Sequence, residues 1–179
     1  MVNSRMGLLS NNAIILLEEA FKNQRLMRLV HYPYKKPFED TLDDVVTADV
    51  FDPNNDIMQI NPLPFSEEVP EGQSCELRIH FPVGVLGEEG AIAQTQIYFH
   101  FIYHNKLSLI NDKDGSPKIR VYEVLNELIK TYHGRSIGTL GTVSFGSGKS
   151  PFSRPSWRYI STGNIMYGAY ELSANMLTL

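Results

Sequence analysis

Cysteine is almost missing from this chain: Cys75 stands alone among 179 residues. One thiol excludes an internal disulfide framework and is compatible with a reducing compartment. An excess of charge is missing too. Lys and Arg number 16 against 20 Asp and Glu, and the formal net charge of −4 gives no overall pull toward nucleic acid. Long hydrophobic runs are absent, and nothing approaches the roughly 18 apolar residues of a membrane-spanning helix. A secretory signal is not expected either, because Ala13–Leu17 is short and Glu18 and Glu19 follow at once. No internal repeat is visible. With 42% hydrophobic and 20% charged residues, the composition is that of a globular chain rather than a disordered one. The length suits one domain with a real core, residues 1–179, assigned to a cytosol or assembled in one.

What is present is clearest over residues 93–134. Gln96–His104 is dense in aromatic and β-branched residues, the types that fit a pleated surface. Alternation places Ile97, Phe99, Phe101 and Tyr103 on one apolar face, expected against a core. Tyr98, His100, Ile102 and His104 share the other face, which reads as half wet or covered by another subunit. Asn111–Gly115 breaks the strand. Ser116 reads as a helix cap, with Pro117 at the first helical position. Val121, Val124, Leu125, Leu128, Ile129 and Tyr132 then form one helical stripe, closed by Gly134. A helix is therefore expected over 117–133, packed on the strand.

The remainder is assigned more coarsely. Residues 12–29 read as one N-terminal helix, capped by Ser10, Asn11 or Asn12 and carrying Ile14, Leu17, Phe21 and Gln24–Leu26. The segment 31–75 is a loop-rich insert. Within it Val45–Phe51 suits a short strand, Asp52–Asp56 a turn and Ile57–Ile60 a return. Glu76–Phe81 alternates and is expected to pair with the long strand across a Gly84–Gly90 loop. The glycine-rich strand 138–146 and the tail strand 159–172 are expected at sheet edges, with Gly163-Asn164 or Gly168 allowing a bend or bulge. The class is α+β: an N-terminal helix, then a β-β-α-β-β core with a mostly antiparallel sheet packed on helices, and long loops.

Chemical motifs are incomplete. Gly146-Ser147-Gly148-Lys149-Ser150 resembles the end of a phosphate-binding loop. However, the first glycine of that pattern is Val143 here, and Pro151 and Pro155 stand where a helix should follow. Asp52–Asp56 resembles the start of a calcium loop, but Ile57 and Leu63 occupy the positions of its glycine and glutamate. His80, His100 and His104 are the one constellation with chemical potential. His100 and His104 lie about 13 Å apart along a strand, too far to share a metal, so a metal would need His80 with one of them. Cys75, beside Glu76, reads as a passive thiol with a raised pKa. No catalytic residue, cofactor site or metal site is assigned, and the chain is not expected to be an enzyme. The loop 146–157 carries Lys149, Phe152, Arg154 and Trp157, the aromatic and arginine mixture of interface centres. These four, with His100 and His104, are the candidate protein-interface residues.

The succession Ile97–Ile110, Arg120–Ile129, Ile137–Phe145 and Met166–Leu172 resembles the tail-terminator and neck (tail-completion) proteins of long-tailed bacteriophages. The resemblance covers roughly residues 76–175 and rests on element order and texture. It implies a structural virion protein without a catalytic motif, one subunit of a homo-oligomeric ring, expected to be a hexamer. Such a ring terminates the tail tube and joins it to the head-proximal connector. The implied partners are the tail tube protein and neck or connector proteins, with no membrane and no specific nucleic acid. The implied location is the virion, assembled in the host cytoplasm. Two alternatives come from other classes: a small metal-dependent hydrolase using the histidines, and a cytosolic protein-binding adaptor.

Overall fold

A computed structural model describes residues 7–62, 73–86, 92–138, 141–145, 157–160 and 165–177. The long aromatic run forms β5 (Ile92–His104), which pairs antiparallel with β4 (Cys75–Leu86) as its alternation predicts. Their register sets Glu76, Arg78 and His80 opposite Ile102, His100 and Tyr98, and shifts between His80 and Val83. On the other side of β5 lies β10 (Tyr167–Leu177), also antiparallel. The far side of β10 is shared by β8 (Thr142–Ser144) and β9 (Trp157–Ile160). A two-residue β3 (Ile60–Asn61) runs parallel to β4. The sheet order is thus β3-β4-β5-β10, then β8 and β9.

Two expectations about strands change. The tail segment 159–172 is not one edge strand: β9 is an edge, but β10 lies inside the sheet, because both of its sides are paired. Gly168 makes no bulge. It sits in regular register opposite Tyr103, and a Cβ there would come within 2.9 Å of the tyrosine ring, so the glycine is needed for that ring to lie flat across β10.

The helices differ in detail. The N-terminal helix is two, α1 (Gly7–Phe21) and α2 (Gln24–His31). Asn23 divides them, since its Oδ1 accepts from Leu26 N at 3.0 Å and so caps α2. Its Nδ2 donates to Thr131 Oγ1 at 2.8 Å and Glu127 Oε2 at 3.2 Å, on the helix α4 (Arg120–Tyr132). That helix starts three residues later than the Ser116-Pro117 signal predicts. Pro117–Ile119 instead forms β7, paired with β6 (Leu109–Asn111) in a separate ribbon. Its end is as expected: Gly134 follows the last turn at φ +75°. Val45–Phe51 is not a strand. Thr47–Val50 makes one helical turn, α3, whose preceding Val46 N donates to Asp49 Oδ2 at 2.8 Å. The turn after it is present, with β1 (Phe51–Asp52) returning as β2 (Ile57–Met58).

The core lies between one sheet face and α1, α2 and α4. Leu77, Ile79, Ile97, Phe99 and Phe101 from the sheet meet Leu16, Leu17, Leu26, Leu29, Val124 and Leu128 from the helices, all fully buried. The Phe99 and Tyr132 rings lie 5.0 Å apart, and Tyr132 Oη donates to Leu16 O at 2.6 Å. Of the predicted helix stripe only Ile129 is exposed. No described helix is long and apolar enough to cross a membrane.

One core residue has no apolar signal at all. Arg120 is 0% exposed, and its guanidinium donates to four carbonyls: Leu107 O at 2.9 Å, Leu29 O at 2.5 Å, Tyr32 O at 3.1 Å and Tyr34 O at 2.6 Å. These include carbonyls at the end of α2, where helical partners run out and the dipole favours a cation.

Candidate interaction surface

The sheet extends beyond its helical cover at β9. There Trp157 and Tyr159 alternate onto the same face as Tyr170 of β10, opposite which Tyr159 lies in register. The first turn of α4 brings Tyr122 to them. Ring centroids are 6.1 Å apart for Tyr122 and Trp157, 6.2 Å for Tyr122 and Tyr170, 6.2 Å for Trp157 and Tyr170 and 5.5 Å for Tyr159 and Tyr170. Tyr170 is half-buried, and burial together with its hydrogen bond to Tyr122 raises its pKa. The other three remain open to solvent: Tyr122 is 46% exposed, Trp157 51% and Tyr159 58%. Leu109 and Ile119, directly opposed on the β6–β7 ribbon, are also exposed. A continuous group of large aromatic rings left in water is the usual mark of a surface that meets another molecule.

The opposite sheet face carries a polar row at right angles to the strands. Register places Arg78 (β4), His100 (β5), Glu171 (β10) and Arg158 (β9) side by side. Arg78 closes a double contact on Glu76, Nε to Oε1 at 2.7 Å and Nη2 to Oε2 at 2.8 Å, and Asn61 Nδ2 donates to the same carboxylate at 2.8 Å. Glu171 accepts from Arg158 at 2.9 and 3.2 Å, and lies 3.0 Å from His100 Nε2. When the carboxylate is ionised it can only accept, and this contact then needs the His100 proton on Nε2. Burial lowers the His100 pKa, against the pull of Glu171. His80 is 8% exposed, and its Nδ1 has no hydrogen-bond partner among the described residues. Burial pushes its pKa down to about 4, helped by neighbouring His100.

The histidines thus separate. The His80 and His100 rings lie 4.8 Å apart, whereas His104 packs on Tyr167 and accepts from Lys106 N at 3.2 Å. Among the described residues no three His, Cys, Asp or Glu side chains are grouped to hold a metal. This face is more closed than its mixed sequence suggests, for Tyr98, His104 and Glu171 are all buried. Burial, rather than the adjacent Glu76, pushes the Cys75 thiol up to about 11. An open groove of about 610 Å³ beside α2 is lined by Arg25, Arg28, Asp40, Asp44 and Lys113. Its charges are already engaged, Arg28 with Asp44 at 3.1 Å and Lys113 with Asp40 at 2.9 Å.

Of the six interface candidates from sequence, Trp157 stands in the aromatic group, while His100 and His104 lie on the far face of the sheet. Lys149, Phe152 and Arg154 fall outside the described residues, as does the whole Gly146–Ser150 motif. Sequence reasoning passed over Tyr122, Tyr159 and Tyr170. The available signal was the alternation of Trp157 with Tyr159, and the place of Tyr122 just off the apolar stripe of its helix.

A comparison with curated proteins gives no match. A protein-family model, YomW, matches residues 23–175, from the cap of α2 into β10, and takes in both the aromatic group and the polar row. The chain therefore belongs to the YomW family, a phage-associated family whose name derives from an SPbeta-like Bacillus phage.

Proposed function

We propose that this chain is a structural protein of a phage particle that works by binding other proteins and is not an enzyme. In the finer form of this reading, copies form a ring at the neck, which terminates the tail tube and joins it to the head-proximal connector, assembled in the host cytoplasm. The observation that carries the reading is the open aromatic group of Tyr122, Trp157 and Tyr159 at the sheet margin. Large rings with a polar tip contribute much contact area at little entropic cost, which makes them the dominant anchors of protein interfaces. A phage-derived family name supports the setting. A ring needs a head-to-tail contact whose rotation closes, so in this reading the aromatic margin of one copy meets a different patch on the next.

Sedimentation velocity tests it, with the chain alone and with purified tail tubes. The expected species alone runs at several times 20.3 kDa and appears as rings in negative stain. A chain that stays at 20.3 kDa and leaves tail tubes unbound overturns the reading.

A further inference from the structure

The edge of the aromatic surface also specifies what that surface takes. β9 pairs with β10 on one side only, and among the described residues nothing pairs with its other side. Every second amide and carbonyl along that side points outward, the arrangement that accepts an added strand. The two faces of β9 carry different chemistry. Trp157 and Tyr159 present exposed rings on one face. Between them Arg158, its side chain 47% exposed, lies on the other face as the last member of the polar row. Read across the strands, that row is cation, imidazole, carboxylate, cation: Arg78, His100, Glu171, Arg158. Opposed cross-strand neighbours favour opposite charge and disfavour like charge. The next strand outward therefore suits a carboxylate opposite Arg158, with apolar residues on either side of it to cover the two rings.

We propose that the outer edge of β9 binds an extended polypeptide segment of apolar–acidic–apolar alternation, which joins the sheet as a further strand. The inference rests on the protein-binding reading and gives the class of partner: an acidic extended segment rather than a helix, a nucleic acid or a basic tail. Arg158 sets the preference for the acidic residue, while Trp157 and Tyr159 supply the contact area.

The chain has one tryptophan, and it is in the site, so intrinsic fluorescence reports occupancy directly. The probes are two acetylated, amidated peptides, Thr-Ile-Glu-Val-Thr and its Lys counterpart, titrated into the whole chain. The Glu peptide is expected to shift Trp157 emission to the blue and to saturate, binding about fivefold more tightly than the Lys peptide. In Arg158→Gln, with an unchanged circular dichroism spectrum, the two peptides should bind within about twofold of each other. An absence of any shift with either peptide, or equal affinities in the parent chain, overturns the proposal. The peptides are titrated at a dilution where sedimentation shows single chains, which separates this readout from the ring test. Rings without peptide binding sink the strand inference alone, and peptide binding without rings sinks the ring alone.

Discussion

Arg120 and Arg158 show two ways to place a cation in one small domain. At the joint of α2 and α4, Arg120 is fully buried, and four carbonyls take its protons. At the sheet margin, Arg158 is tied to Glu171 but half open, with bare aromatic rings on the reverse of its strand. The first region is saturated: four of the five guanidinium N–H groups are used, and in the core beyond it Phe99 and Tyr132 have no surface left to give. The second keeps aromatic area and backbone donors in reserve. Residue type does not separate the two, since both use arginine and aromatics. What separates them is whether the surrounding chain completes the contacts. A closed region holds the fold, and an open one is free to hold something else.

The comparison breaks most easily at Arg120. Arg120→Met should orphan the buried carbonyls of Leu29 and Leu107 and the half-buried ones of Tyr32 and Tyr34, and cost about 4 kcal/mol, a fall in Tm of about 10 °C for a chain of this size. A melting curve within about 2 °C of the parent would show that the joint is not closed in this sense. Gly168→Val presses a side chain into the Tyr103 ring, and should cost about 1–3 kcal/mol by urea denaturation. An unshifted midpoint would mean that β5 and β10 can part to admit it.

The polar row passes from closed to open, and pH reads His80, whose ring packs on His100 beside the closed end. His80 resists protonation when folded, down to about 4, whereas the unfolded chain takes up a proton near the ordinary value of 6.5. Stability from this group is complete above pH 6.5 and is lost as pH falls through the window toward 4, by about 1–2 kcal/mol. Urea midpoints at pH 7 and pH 5 should differ accordingly, and less so in His80→Gln. If the variant keeps the full difference, other groups carry it. The smallest effect on stability belongs to the open region. Trp157→Ala should cost about 1 kcal/mol or less, while abolishing self-association or tail binding in sedimentation. A variant that assembles like the parent removes the aromatic group from the contact.

Much of the saturated region was legible in the sequence. The alternation of Ile97, Phe99, Phe101 and Tyr103 gave the buried face of β5, and Val121 to Tyr132 gave the stripe of α4. Both are local periodicities, and burial follows them directly. The failures share a cause, which is that a distant partner decided the outcome. Asn23 ends one helix and caps the next while bonding α4, so apolar spacing ran on through a break it does not register. Pro117 suits the start of a helix and the ribbon with β6 equally, and the pairing of Leu109 with Ile119 selects the second. Arg120 looks like a surface residue until the end of α2 is placed above it. The candidate site was legible only at Trp157. Tyr122, Tyr159 and Tyr170 come from three separate elements, and nothing along the chain announces that they meet.

The break at Asn23 has a consequence for how the chain is made. Its contacts to Glu127 and Thr131 span 104 and 108 residues, and the Tyr132 bond to Leu16 spans 116. The β4–β5 pair closes over a few residues and can form as soon as it emerges. The corner between α1 and α2 cannot, because its anchors have not yet been synthesised. At about 5–20 residues per second, the two N-terminal helices wait on the order of 5–20 s, with Leu16, Leu26 and Leu29 uncovered. Acquisition of the native state is thus gated by translation of α4, and α1 and α2, made before it, are secured only after it.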